Sequence, residues 1–462
     1  LRPPKTVIEI ARKLTDAGFE TWCVGGAVRD ALLGIANQDW DLATAAPPEQ
    51  TRKLFRRTIP VGIEFGTVGV LDRDEVMHEV TTFRRDVKHD GRHAVVEFGV
   101  SLVEDLKRRD FTINAIAYDP FGERLFDPFD GRTDLANRLV RAVGVPLERF
   151  VEDRLRVLRG IRFASRFGFA IESETWNAIV ASAPFLGRLS AERVKQELDK
   201  TLEQAARPSE AFVLWQRAGA FQNLVPVLTG TALHVLLAVD VQPRPRTGMI
   251  PPRKMLRRQL RLATLFSDRS ASETTKALKA LRAPNAETAF VASLVERWQM
   301  LGREITRSLC AATQPDDATL RRWAAVIGRT RVRSFMRVAW ARWQGLDLSD
   351  RTAGSTKIVS ASRIGLEVPQ KAHVVSLYRR LLHVVHHDPI EIADLAVDGD
   401  DLRSIKIPDG PHVGTLLREM LALVVRDPTK NSREALLDFA EVRFVELMDQ
   451  QTRKPGRKRQ DR

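Results

Sequence analysis

The sequence predicts an α+β protein, with a small head of mixed sheet and helices followed by a remainder built of helices. Three observations predict it. Short, glycine-punctuated strand signals recur along the first 135 residues and then nearly vanish. From Leu147 onward apolar residues recur at helical spacing instead, first over Leu147 to Phe167 and then over Glu192 to Ala205. The length of 462 residues exceeds what one hydrophobic core normally serves, so several domains are expected.

The candidate strands are 21–24, 39–43, 67–72, 76–83 and 93–98, with a last piece near 115–118. Thr21 to Val24 is short and apolar and enters a tight turn at Gly25-Gly26. Ala31 to Gly34 reads as the end of a short helix stopped by glycine. In the next strand, Asp39-Trp40-Asp41-Leu42-Ala43, residues i and i+2 share a face, so Asp39 and Asp41 project together while Trp40 and Leu42 pack behind them. Two carboxylates held that close repel each other unless a cation lies between them, and Mg²⁺ suits oxygen ligands beside phosphates. The Gly25-Gly26 turn offers backbone N–H groups to phosphate, and Arg29 offers a guanidinium. Asp-x-Asp alone, or Gly-Gly alone, is common on ordinary loops. The ordered set within about twenty residues is far more specific, and it reads as a nucleotidyl-transfer site. Glu79, in the strand-like His78 to Phe83, is either a third carboxylate of this site or an exposed strand glutamate.

The run Gly25-Gly26-Ala27-Val28-Arg29-Asp30 with Asp39 and Asp41 resembles motif A of the class II tRNA nucleotidyltransferases and their bacterial poly(A) polymerase relatives. Arg108-Arg109-Asp110-Phe111-Thr112-Ile113-Asn114-Ala115 resembles motif B, and Asp130-Gly131-Arg132-Thr133-Asp134-Leu135 motif C. Glu152-Asp153-Arg154-Leu155-Arg156 matches motif D, and Ser190 to Leu198 resembles motif E. The resemblance implies a catalytic nucleotidyltransferase head at 1–135, a helical neck with base recognition at 136–206 and a body at 207–355. A tRNA-binding tail at 356–450 and a disordered basic end at 451–462 complete the expected order. It implies attack by an RNA 3′-hydroxyl on the α-phosphate of CTP or ATP, with Mg²⁺ held by Asp39 and Asp41. Arg109 then suits phosphate, while Asp110 and Asn114 suit ribose hydroxyls.

Asp153 and Arg156, i and i+3, would share a helix face; the resemblance implies that together they imitate a Watson–Crick edge, with a surface ion pair as the alternative. Arg159 and Arg162 continue that series, but on an ideal helix Arg162 turns nearly opposite Asp153. They are therefore expected to serve triphosphate, head packing or RNA.

Composition agrees with this reading. A net charge of +14 favours a polyanionic partner, nucleic acid before anionic membrane. No apolar run approaches membrane-spanning length, and Leu1-Arg2-Pro3-Pro4 is not expected to be a signal peptide. Cys23 and Cys310 make no metal spacing and fit a reducing cytoplasm. The basic run Arg453 to Arg459 suits sequence-blind phosphate contact. No obligate protein partner is implied.

Val61 to Val70 lacks the arginine-rich segment of the poly(A) polymerases, and the stretch Arg84 to His93 keeps a full-length loop before motif B. Both favour addition of CCA to tRNA. Addition of A alone or of CC alone stays open, as does an RNA-binding protein with an inactive head. Many relatives carry a His-Asp phosphohydrolase dyad in or after the body; here Ser267 precedes Asp268 at the corresponding place. His383, His386 and His387 are expected to face a helix C-terminal dipole rather than a metal. In the tail, Asp394 to Leu402, Gly410 to Gly414 and Asn431 are either RNA contacts or helix punctuation.

Overall fold

A computed structural model describes residues 1–37, 39–89, 94–242, 251–311, 314–353 and 368–452. The chain forms two compact units, Leu1–Gly230 with Ala280–Ala283, and Thr231–Lys279 with the chain from Pro284 onward.

The first unit is built on a mixed sheet of seven strands. Its centre is β1 (Thr21–Val24), antiparallel both to β2 (Asp41–Thr44) and to β8 (Ala117–Asp119). On the far side of β2 come β5 (Met77–Thr82), β4 (Thr67–Leu71) and β3 (Thr58–Pro60); β9 (Arg124–Phe126) closes the other edge beyond β8. The β2–β5 pairing is parallel, with Leu42 opposite Val80. That register sets Asp41 and Glu79, each one residue earlier, at the same level of neighbouring strands. Val24, Ala43, Phe83, Leu102, Leu106, Ala115, Ala117 and Val143 fill the core under the sheet. Helix α1 (Lys5–Asp16) buries Val7, Ile10, Ala11 and Leu14, an i, i+3, i+4, i+7 stripe, and α2 (Gly26–Leu32), α3 (Pro48–Leu54) and α4 (Leu102–Lys107) follow it in the chain.

Several expectations need correction. The strand carrying the acidic pair begins at Asp41, not at Asp39. Asp39 donates its backbone N–H to Asn37 Oδ1 at 2.9 Å, and Trp40 donates Nε1–H to the Asn37 carbonyl at 2.9 Å, so a turn holds this segment outside the ladder. Asp39 is exposed, while Trp40 and Leu42 are buried as the alternation required. Arg84 to His93 is not simply a loop. Its first part is β6 (Arg84–His89), paired with β7 (Ala94–Phe98) in a hairpin separate from the main sheet and irregular between Asp86 and Lys88. Residues 90–93 lie outside the described residues.

The expected helix over 147–167 is two helices, α6 (Pro146–Glu152) and α7 (Leu155–Phe167). Asp153 breaks it with an extended backbone, φ −144° and ψ 104°, and its Oδ1 accepts the Leu155 N–H at 3.0 Å. The neck is also not purely helical. Strands β10 (Leu139–Val140) and β11 (Ala170–Ile171) pair in parallel there, each too short to leave a periodic signal. Helices α8 (Ser173–Ser182) and α9 (Ala191–Gln204) follow.

Every regular element among the second unit's described residues is a helix. The helix Val332–Ala353 runs through Asp350. Residues 243–250 of the proline-rich stretch, 354–367 and 453–462 lie outside the described residues. Ser267 is fully buried, and its Oγ donates to the Thr264 carbonyl at 2.6 Å. Asp268 accepts from Arg342 at 2.6 Å. His386 and His387 end the helix Lys371–His387, and the His383 and His387 rings lie 4.4 Å apart. Asn431 ties two backbone segments, accepting from Ala396 N–H and donating to the Asp394 carbonyl, each at 2.9 Å. That is structural punctuation. No helix among the described residues is long and apolar enough to cross a membrane.

Candidate active site

One cavity of about 450 Å³ in the first unit gathers most of the sequence-derived candidates. Gly25, Gly26, Arg29 and Asp41 line it from the first turn and strand, and Arg108, Arg109, Asp110 and Asn114 from motif B. Asp153, Arg156, Arg159 and Arg162 line it from the neck. Asp39 and Glu79 are not lining residues.

The turn requires glycine. Gly25 adopts φ +80° and ψ −140°, and a Cβ there would lie 3.1 Å from Arg109 Nη1 and 3.5 Å from Asp41 Oδ2. Backbone, guanidinium and carboxylate therefore meet at one point. Asp41 accepts no hydrogen bond among the described residues. Burial, then the charges of Glu79 and Asp39, push its carboxyl up to about 7 against the opposing pull of Arg109. Glu79 and Asp39 are thus both within electrostatic reach of Asp41. Among the described residues no three His, Cys, Asp or Glu side chains already converge as a ready metal cluster.

A polar chain then links head to neck. Arg29 donates to Asp30 at 2.8 and 2.6 Å and also to Asn114 Oδ1. Asn114 donates to Asp110 Oδ1 at 2.8 Å, and Asp110 Oδ2 accepts from Arg159 Nε at 2.7 Å. Burial would raise the Asp110 carboxyl, but the Arg159 charge and the Asn114 bond bring it down to about 2. Asp110 and Asn114, expected to meet ribose, are engaged with protein partners here. Arg29 is equally committed, and its guanidinium lies over the Phe163 and Phe167 rings at 5.1 and 4.8 Å. Its charge faces the cavity, but its hydrogen bonds position Asn114.

Motif C holds this wall in place. Asp134, on α5 (Gly131–Ala136), accepts from Thr112 Oγ1 at 2.7 Å, and a Cβ at Gly131 would meet the Thr112 carbonyl oxygen at 2.2 Å. The segment bearing Asn114 is pinned from behind.

The neck residues depart from the ideal-helix expectation. Because Asp153 precedes α7, the angle that set Arg162 opposite it does not apply, and all four residues line the same space. Asp153 pairs with Arg193 at 2.8 Å. Arg156 bonds Glu152 at 2.7 Å and the carbonyls of Arg149 and Arg108 at 3.1 and 2.9 Å. Arg162 is buried against Glu197 at 2.7 Å.

Sequence reasoning missed Phe163, Arg166, Arg193, Lys200 and Gln204, which also line the cavity. Their spacing was available. Arg193, Lys200 and Gln204 recur at i, i+7 and i+11 along α9, one helix face, and Phe163 and Arg166 lie a turn beyond Arg159 and Arg162. Eight arginines and Lys200 against three aspartates make the cavity a receptor for a polyanion.

Comparison with known proteins agrees with this geometry. Residues 21–141 match the poly A polymerase head domain, 168–230 the probable RNA- and SrmB-binding site of polymerase A, and 329–440 tRNA nucleotidyltransferase domain 2. The crystal structure of the Bacillus stearothermophilus CCA-adding enzyme in complex with CTP is 30% identical, covers 97% of this chain and 100% of its own, and superposes with a TM-score of 0.69. The chain belongs to the CCA-adding enzyme family. The CCA-adding enzyme of Streptococcus suis is 50% identical over 197 residues, 42% of this chain and 48% of that protein. That of Enterococcus faecalis is 50% identical over 200 residues, 43% and 49% respectively. The chain thus matches about half the length of these curated CCA-adding relatives. The Thermotoga maritima CCA-adding enzyme complexed with tRNA shares the fold at 18% identity, with a TM-score of 0.61.

Proposed function

We propose that this chain is a template-independent RNA nucleotidyltransferase that adds or repairs the 3′-terminal CCA of tRNA from CTP and ATP. The RNA 3′-hydroxyl oxygen forms a bond to the α-phosphorus, the bond from that phosphorus to the α–β bridging oxygen breaks, and pyrophosphate leaves. The observation that carries this reading is the cavity itself, where a half-buried carboxylate at a glycine turn, with no hydrogen-bond donor among the described residues, faces a wall of arginines. Solved relatives described as complexes with CTP, with ATP and with tRNA support it.

The donor set suits a hard divalent cation. Among the described residues Asp41 has no hydrogen-bond donor to settle its charge, and it has two acidic neighbours, so Asp39, Asp41 and Glu79 would hold Mg²⁺. Held by these carboxylates, Mg²⁺ would offset their mutual repulsion and would lower the pKa of the attacking hydroxyl. Arg109 and the neck arginines receive the triphosphate, and the N–H groups of the Gly25-Gly26 turn approach its oxygens. Asp153 offers an acceptor to the amino group common to cytosine and adenine, and Arg156 offers donors to the ring nitrogen beside it. Guanine and uracil set a carbonyl against Asp153. The tail, 356–450, is assigned to tRNA binding, and a cytoplasmic location follows from a tRNA substrate.

Two variants test the assignment. Asp41→Asn and Asp39→Asn abolish nucleotide incorporation while tRNA affinity stays close to that of the parent. Undiminished incorporation by both removes the proposed site. Persistent tRNA binding by a parent chain that never releases pyrophosphate would favour an inactive-head RNA-binding protein.

A further inference from the structure

Phe185 lies outside every role assigned above. It belongs to the short turn Ala183–Arg188 that follows α8. Ala183 and Leu186 anchor that turn in the core at 1% and 0% exposure, which leaves the Phe185 ring 43% exposed. The Arg154 guanidinium carbon lies over this ring at 4.6 Å, and that of Arg188 at 5.4 Å. Neither arginine has a carboxylate or hydrogen-bond partner among the described residues. Burial, then the charge of Arg188, pushes the pKa of Arg154 down. Two like-charged groups are therefore gathered at an exposed aromatic face with no anion to settle them.

A nucleotide within a single strand answers both needs at once. Its base stacks on the ring and the guanidinium planes, and its phosphates meet the two cations. The place is also informative. Arg154 lies in the chain between Asp153 and Leu155, which line the cavity, while Arg154, Phe185 and Arg188 do not line it. This favours a residue of the RNA strand over the incoming triphosphate, whose charges the cavity arginines already meet.

We propose that Phe185, with Arg154 and Arg188, is a stacking platform for a base near the 3′ end of the RNA primer. This rests on the nucleotidyl-transfer reading given above. Phe185 touches no reacting atom and serves as a binding residue.

The test uses the full-length chain and a tRNA carrying 2-aminopurine at its 3′-terminal position, whose fluorescence is quenched by stacking. The parent quenches the probe on binding. Phe185→Ala loses the quenching and binds the tRNA about tenfold more weakly, the value of one stacked base. Phe185→Trp restores both. CTP affinity without RNA is the control and is the same in all three chains, which also separates a lost platform from a misfolded neck. Unchanged quenching and affinity in Phe185→Ala overturn the platform, as does an unquenched probe on the parent. If the parent binds and quenches the probe but incorporates no nucleotide, the nucleotidyl-transfer reading fails while the quenching titration still decides the platform.

Discussion

Asp41→Asn should make the metal-free protein more stable at mildly alkaline pH while destroying its proposed activity. Burial, Glu79 and Asp39 raise the folded-state pKa of Asp41 to about 7 from an ordinary 3.8. The folded chain therefore binds more protons than the unfolded chain between those two values, and its stability falls as pH rises through that window. Above about 7 the loss is complete. Roughly three pKa units at about 1.4 kcal/mol each set a ceiling near ~4 kcal/mol, and relaxation of the neighbouring carboxylates lowers the expected effect to about 2–4 kcal/mol. An asparagine carries no charge to desolvate. For a unit of this size, melting should rise by roughly 4–16 °C in chelator at about pH 8, whereas near pH 4 the two proteins should melt together. Mg²⁺ should raise the melting temperature of the parent at the higher pH and leave Asp41→Asn almost unmoved. Thermal melts followed by circular dichroism across pH, with and without Mg²⁺, measure all of this. An Asp41→Asn protein less stable than its parent in chelator at about pH 8 would refute the reasoning, since the carboxylate would then be making a favourable contact.

Other consequences follow from the cavity wall. The Asp110 carboxyl is held down to about 2, so its contribution to stability is present above about 4 and is lost as pH falls through that range; Arg159→Met should move the acid-unfolding midpoint upward. Glu197→Ala strands the buried Arg162 charge and should cost about 3–5 kcal/mol in urea unfolding, with Glu197→Gln costing less. Gly25→Ala should cost about 1–3 kcal/mol of backbone strain and push Arg109 aside, weakening CTP binding in a calorimetric titration. Asp153→Ala should relax selection of CTP and ATP against UTP and GTP by about 5–150-fold, because the carbonyl of the wrong base no longer opposes an acceptor that the bound base covers. If every nucleotide slows equally, Asp153 serves only to hold Arg193.

The first strand, the glycine turn and the buried Trp40 and Leu42 were legible because alternation and glycine punctuation are local signals. The hairpin was not. Arg84-Arg85-Asp86-Val87-Lys88-His89 is polar along most of its length, so no apolar alternation marks it as a strand. The break at Asp153 was equally silent, with neither glycine nor proline to announce it, and one unbroken helix gave the wrong angles for the neck arginines. The shared level of Asp41 and Glu79 depends on the parallel β2–β5 pairing, a non-local fact that no window of sequence contains. Motif residues were found as a set, but their mutual commitments were not. Which of Arg29, Arg156 and Arg159 is already bonded depends on carboxylates and carbonyls far along the chain.

The central claim is tested most directly by offering the purified chain tRNA transcripts that end before the CCA, at C, at CC and at CCA, with each nucleoside triphosphate and Mg²⁺. The account predicts that CTP extends the first two, ATP extends only the CC-ended transcript, and the complete tRNA is left alone, with one pyrophosphate released for each nucleotide added. Open-ended addition of A to any RNA, or no incorporation on any transcript, would contradict it.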